Sequence, residues 1–114
     1  MRKSEIKTMI DGIGLPAAYS HFSRATNQAP PFICYLYDTD DDFMADNANY
    51  VNIVPLVIEL YTNVRDFDLE DRIKDVLRSN DLAWTLTPEY IDSEQMHMST
   101  FTMEVVINAE EEQG

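Results

Sequence analysis

Residues 50–82 read YVNIVPLVIELYTNVRDFDLEDRIKDVLRSNDL, and within them the hydrophobic period changes. The run from Tyr50 to Thr62 is rich in β-branched and aromatic residues, which favours a strand. Its apolar residues Ile53, Val54, Leu56, Val57, Ile58 and Leu60 are nearly continuous, so burial on both faces is expected for part of its length. Pro55 cannot donate to a ladder and marks an edge or a bulge. From Asp66 to Leu82 the period becomes helical: Leu69, Ile73, Val76 and Leu77 form one stripe. Asp66 or Asp68 is the expected N-cap, and Glu70 and Asp71 load the first turn. Lys74 and Arg78 lie toward the end, as the helix dipole prefers. Asn80 is the expected left-handed stop.

Outward from this pair the chain alternates in the same manner. Residues 4–13 predict a helix with Ile6, Met9, Ile10 and Ile13 on one face, Ser4 as cap and Gly14 and Pro16 as stops. "LPAAYSHFSRATNQAPP" (15–31) reads as an extended connection, and "FICYLY" (32–37) as a strand. After the helix, "AWTLTPEYI" (83–91) and "MHMSTFTMEVVI" (96–107) form a hairpin around Asp92–Gln95. Phe101, Met103, Val105 and Ile107 alternate with polar neighbours in the last strand. Residues 108–114 read as a loose acidic tail. The expectation is a single α+β domain over 1–114, in the order α-β-β-α-β-β. Its four-stranded sheet is antiparallel or mixed, with the helices packed on one face.

Composition bounds the function. The chain has 114 residues, 45% of them hydrophobic, enough for one ordinary core. Twenty-one acidic against eight basic residues give a net charge of −13, which repels a phosphate backbone and favours basic partners. No apolar run approaches the ~20 residues of a membrane span. The N-terminal "MRKSEIKTMIDGIG" has no secretion h-region, so a cytoplasmic place of synthesis and use is expected. The one cysteine, Cys34, lies in a strand with acidic surroundings that raise a thiol's pKa, so it reads as a small buried residue.

Chemistry finds little support. The acidic segment "DTDDDFMADN" (38–47) partly resembles a calcium loop, but that loop needs glycine at its sixth position and glutamate at its twelfth. Phe43 and Asn49 stand there instead. His21 and His97 lack partners at zinc spacing; His21 is expected partly buried beside Tyr19 and Phe22, and His97 in a strand near a turn. With glycine only at 12, 14 and 114, phosphate loops and dinucleotide fingerprints are excluded. No catalytic residue, cofactor or metal is expected, and the chain does not read as an enzyme. Met9 and Met103 read as core. Met44, Met96 and Met98 lie near loops and are candidates for a protein contact.

Three stretches carry a resemblance that covers the chain from about Leu15 to Ile107. They are "PPF-x-x-YLY" (30–37), "F-x-AD-N" (43–47) and "IELYT" (58–62). Together they resemble the tail terminator, or tail completion, proteins of long-tailed phages and prophages. The resemblance implies a small α+β structural protein of the virion tail, assembled in the bacterial cytoplasm. Such proteins cap the finished tail tube as a ring, usually of six subunits, and join it to the head connector. Genomic DNA would only pass through the lumen. A closed ring needs heterologous contacts, and the 38–47 loop offers candidates: Asp38, Asp40, Asp41, Asp42, Phe43, Met44, Asp46 and Asn47. Phe43 and Met44 are large apolar residues in an acidic loop, which suggests docking, although they could equally plug the domain's own core. The rival from another class is an acidic DNA mimic that inhibits a DNA-binding enzyme. Its carboxylates would be spaced along an extended surface, whereas here they cluster at 38–46, 66–75 and 110–112.

Overall fold

The computed structural model describes residues 1–21, 28–38 and 51–108. Two helices, α1 (Lys3–Asp11) and α2 (Phe67–Ser79), accompany five strands: β1 (Ala17–Tyr19), β2 (Phe32–Tyr37), β3 (Val51–Thr62), β4 (Thr85–Ile91) and β5 (Met96–Asn108). The strands form one mixed sheet in the order β1-β2-β3-β5-β4. β1 runs parallel to β2, and the other neighbours are antiparallel. The domain is therefore α+β, as the sequence predicts, but with five strands rather than four. The extra strand, Ala17–Tyr19, lies in what reads as an extended connection. Three residues carry too short a pattern to be seen locally, and the strand exists because β2 presents a free edge to it. Asn108, expected to open the tail, is instead the last residue of β5, held by pairing with Val51.

The register across the sheet explains the core. Ile33, Leu60 and Ser99 stand abreast, as do Tyr35, Ile58 and Phe101, followed by Leu56 with Met103 and Val54 with Val105. All of these are buried, and the apolar members join Ile6, Met9, Ile10, Ile13, Ile73, Leu77 and Ile107 in one cluster. Both helices thus cover the same sheet face. The two-sided burial expected for β3 is corrected here: Val54, Leu56, Ile58 and Leu60 are fully buried while Ile53 is 57% exposed. Both described helices lie on one side of the sheet, and on the other side Ile53 looks outward. Pro55 is tolerated for a geometric reason. Its carbonyl accepts from Asp38 N–H at 2.9 Å, so its backbone polar side points past the end of β2 at Tyr37 and spares the β3–β5 ladder.

The helix ends differ from expectation in detail. Arg2, not Ser4, is the N-cap of α1, and its backbone N–H donates to Glu5 Oε1 at 2.7 Å. Asp66 caps α2 by accepting from Leu69 N–H at 3.0 Å. At the other end of α2, Asp81 rather than Asn80 takes the left-handed conformation, with φ 59°. Asn80 instead donates from Nδ2 to the Val76 carbonyl at 2.8 Å, satisfying an orphaned acceptor. Pro88 lies in edge strand β4, where it blunts that edge against further pairing.

Candidate assembly surfaces

Three features of the fold can carry function, and each is built from strand alternation or helix period. The first is the sheet face opposite the helices. Phe32 stacks on Tyr61 with ring centroids 4.9 Å apart, and Met98 stands next to Tyr61 across the ladder. Leu36 pairs with Val57, and Ile53 pairs with Val106 beyond the ends of β2 and β4. Ile53 at 57% and Val106 at 47% exposure are the wettest of this row. Cys34 lies among them and is buried, as expected. Tyr61 Oη donates to Glu59 Oε1 at 3.0 Å. Burial first, then the adjacent Glu59 carboxylate and that hydrogen bond, push its phenol well above the usual tyrosine value.

The second feature is a groove of about 440 Å³ between α1 and the β1–β2 edge, lined by Lys3, Ser4, Lys7, Tyr19, Tyr35 and Tyr37. Tyr19 meets Tyr35 edge-on at 5.3 Å and lies 5.8 Å from Tyr37. The Lys3 ammonium sits 5.6 Å from the Tyr37 ring centroid. Burial raises the Tyr35 phenol above its ordinary value, with the Lys7 charge opposing. Lys7 is itself raised by its hydrogen bond to Asp11.

The third is a buried polar chain that ties α2 to the sheet. Glu70 is 1% exposed. It accepts from Arg65 Nε at 3.0 Å and from an Arg65 terminal nitrogen at 3.2 Å. Ser99 Oγ donates to Glu70 Oε2 at 2.5 Å and lies 3.1 Å from His97 Nε2. Burial alone would raise the Glu70 carboxyl. The hydrogen bonds from Arg65 and Ser99, with the charges of Arg65 and Lys74, outweigh it and hold the group below its ordinary value. Ser99 is fully buried and donates its proton to Glu70, so it is placed as a structural link and not as an accessible nucleophile. No local pattern marks this chain, because its central link joins Glu70 to Ser99, 29 residues apart in sequence.

Of the sequence-predicted contacts at 38–47, only Asp38 is among the described residues. Asp38 is exposed and holds the end of β2 to β3 through its backbone. Asp40, Asp41, Asp42, Phe43, Met44, Asp46 and Asn47 lie outside the described residues. Met9 and Met103 are core, and Met96 and Met98 are half-buried residues at the start of β5, next to the turn at 92–95, as expected. His21 is exposed, contrary to expectation, with Nδ1 3.2 Å from Ser20 Oγ. Among the described residues no helix is long and apolar enough to cross a membrane. No protein-family model, curated protein or solved structure matches this chain.

Proposed function

We propose that this chain is a structural subunit of a phage tail, capping the tail tube as a ring, usually of six copies, and joining it to the head connector. It acts without catalysis or cofactor, in the virion tail after assembly in the host cytoplasm. The reading rests on the resemblance carried by residues 30–37, 43–47 and 58–62. The observation that supports it best is the sheet face left open by both helices, where the row through Phe32, Tyr61, Val57, Ile53 and Val106 is apolar and partly exposed. A face of this kind suits a protein that completes its packing against other subunits. The finer assignment, in which Asp38–Asn47 touch a neighbour, belongs to the same proposal. The DNA-mimic alternative is disfavoured by α2, whose exposed Asp71 and Asp75 alternate with Lys74 and Arg78 at 3.8 and 2.9 Å. Interleaved cations break a phosphate-like array.

The test is assembly in the presence of purified tail tube protein, followed by electron microscopy and sizing. Rings on tube ends are expected. The double substitution Ile53→Lys/Val106→Lys should abolish capping while changing stability by only about 0.5 kcal/mol, as for other exposed positions. A chain that stays monomeric and leaves tube ends bare would sink the reading.

A further inference from the structure

We propose that the open sheet face binds a different, basic protein chain, with the Glu59 carboxylate receiving a lysine or arginine of that partner. The inference rests on the assembly reading above and names the chemistry of what this face meets.

Glu59 lies on β3, the middle strand, and alternates with buried Ile58 and Leu60, so it points away from both described helices. Cys34 on β2 and Thr100 on β5 stand abreast of it, and Val57 and Tyr61 flank it along β3. A half-buried carboxylate among uncharged neighbours needs partners for its oxygens. Tyr61 Oη serves one of them, donating to Oε1 at 3.0 Å. The stack of Tyr61 on Phe32, with centroids 4.9 Å apart, holds that donor in place. Burial and Glu59 together keep the phenol protonated, so it remains a donor. No lysine or arginine among the described residues pairs with Glu59. Its second oxygen is therefore open to a cation from outside, at a carboxylate already fixed in position.

Charge identifies the partner. Every lysine and arginine among the described residues lies within 2–7 or 65–78, on the helices or at their ends. The strands contain none. Their glutamates, Glu59, Glu89 and Glu104, all fall on the open face, Glu89 abreast of Met98 and Glu104 abreast of Pro55. Strand spacing and rise put Glu89 and Glu104 about 12 and 14 Å from Glu59. That is too far for one shared metal ion and suits separate cations on a protein surface. A second copy is a poor source of them. It carries −13, and its Lys7, Arg65, Lys74 and Arg78 are already paired with its own carboxylates. A basic chain meets both needs of the face. Its apolar side chains cover Ile53, Val57 and Val106, and excluding water there strengthens the ion pair at Glu59.

The experiment measures binding of the full chain to purified tail tube protein at several salt concentrations, alongside sedimentation of the chain alone. Glu59→Gln keeps an oxygen for the Tyr61 hydroxyl and removes the charge. The double variant Glu89→Gln/Glu104→Gln changes only exposed positions, so it folds whatever Glu59→Gln does, and melting curves check both. Asp68→Asn, exposed on α2, controls for net charge. Glu59→Gln should weaken binding about tenfold or more. The double variant should weaken it less, and both should flatten its salt dependence. Asp68→Asn should do neither. Tubes bound equally well by Glu59→Gln and by the double variant would overturn the inference and leave the assembly reading standing. Self-association lost in Glu59→Gln while tube binding persists would assign the face to a second copy, which also overturns it. A wild-type chain that never binds tubes would remove both readings.

Discussion

Ser99 Oγ and Glu70 Oε2 are joined by a 2.5 Å hydrogen bond that crosses from β5 to α2. It fixes the height of the helix over the sheet, and with Arg65 it leaves Glu70 compensated though fully buried. Removing either partner leaves a buried carboxylate short of a donor. Ser99→Ala should therefore cost about 1–2 kcal/mol. Arg65→Ala should cost about 2 kcal/mol, less than for a fully enclosed pair because the guanidinium side is open to solvent. Urea denaturation of the two variants and the wild type checks both values.

The same carboxylate sets an acid limb of stability. Glu70 binds its proton less readily folded than unfolded, because its carboxyl is held below about 4.5. Its contribution is present above that pH and is lost as pH falls through the folded value. The stability difference between wild type and Glu70→Gln should shrink as pH drops below about 4.5. Denaturant midpoints measured from pH 7 downward test this, and a constant difference would contradict it.

Tyr61 predicts the opposite limb. Its phenol is raised above an ordinary value near 10 by burial, then by Glu59. The folded chain therefore holds this proton longer than the unfolded chain. Stability from Tyr61 is present below about pH 10 and declines as pH rises toward the folded value. Tyr61→Phe should flatten that alkaline decline, as followed by thermal melts across the range.

Phe101 anchors the centre of the helix-covered face, fully buried between Ile58 on β3 and Leu86 on β4. Phe101→Ala should cost about 3–5 kcal/mol through lost transfer energy and the cavity left behind. Ile58→Val beside it should cost only about 1 kcal/mol. Equilibrium unfolding distinguishes the two, and similar values would mean the core collapses around the vacancy.

Much of the fold is legible locally. The i, i+4 stripe of Leu69, Ile73 and Leu77 and the alternation of Phe101, Met103, Val105 and Ile107 predict α2 and β5 to within a few residues. Their periods are enforced by which face is buried, and that constraint is written in every second or fourth residue. The candidate site is less legible. The groove is assembled from residues 3–7, 19 and 35–37, which meet only when β1 pairs with β2.

The sequence by itself determined the helices, four of the strands, an aspartate cap at Asp66 or Asp68 for α2 and the acidic balance. These depend on neighbours within a few positions. The tertiary structure decided that Ala17–Tyr19 is a strand, that β3 buries one face, and that Glu70, Arg65, Ser99 and His97 form one chain. Each of those depends on an edge, a covering layer or a partner supplied by a distant segment, whose position no local period encodes.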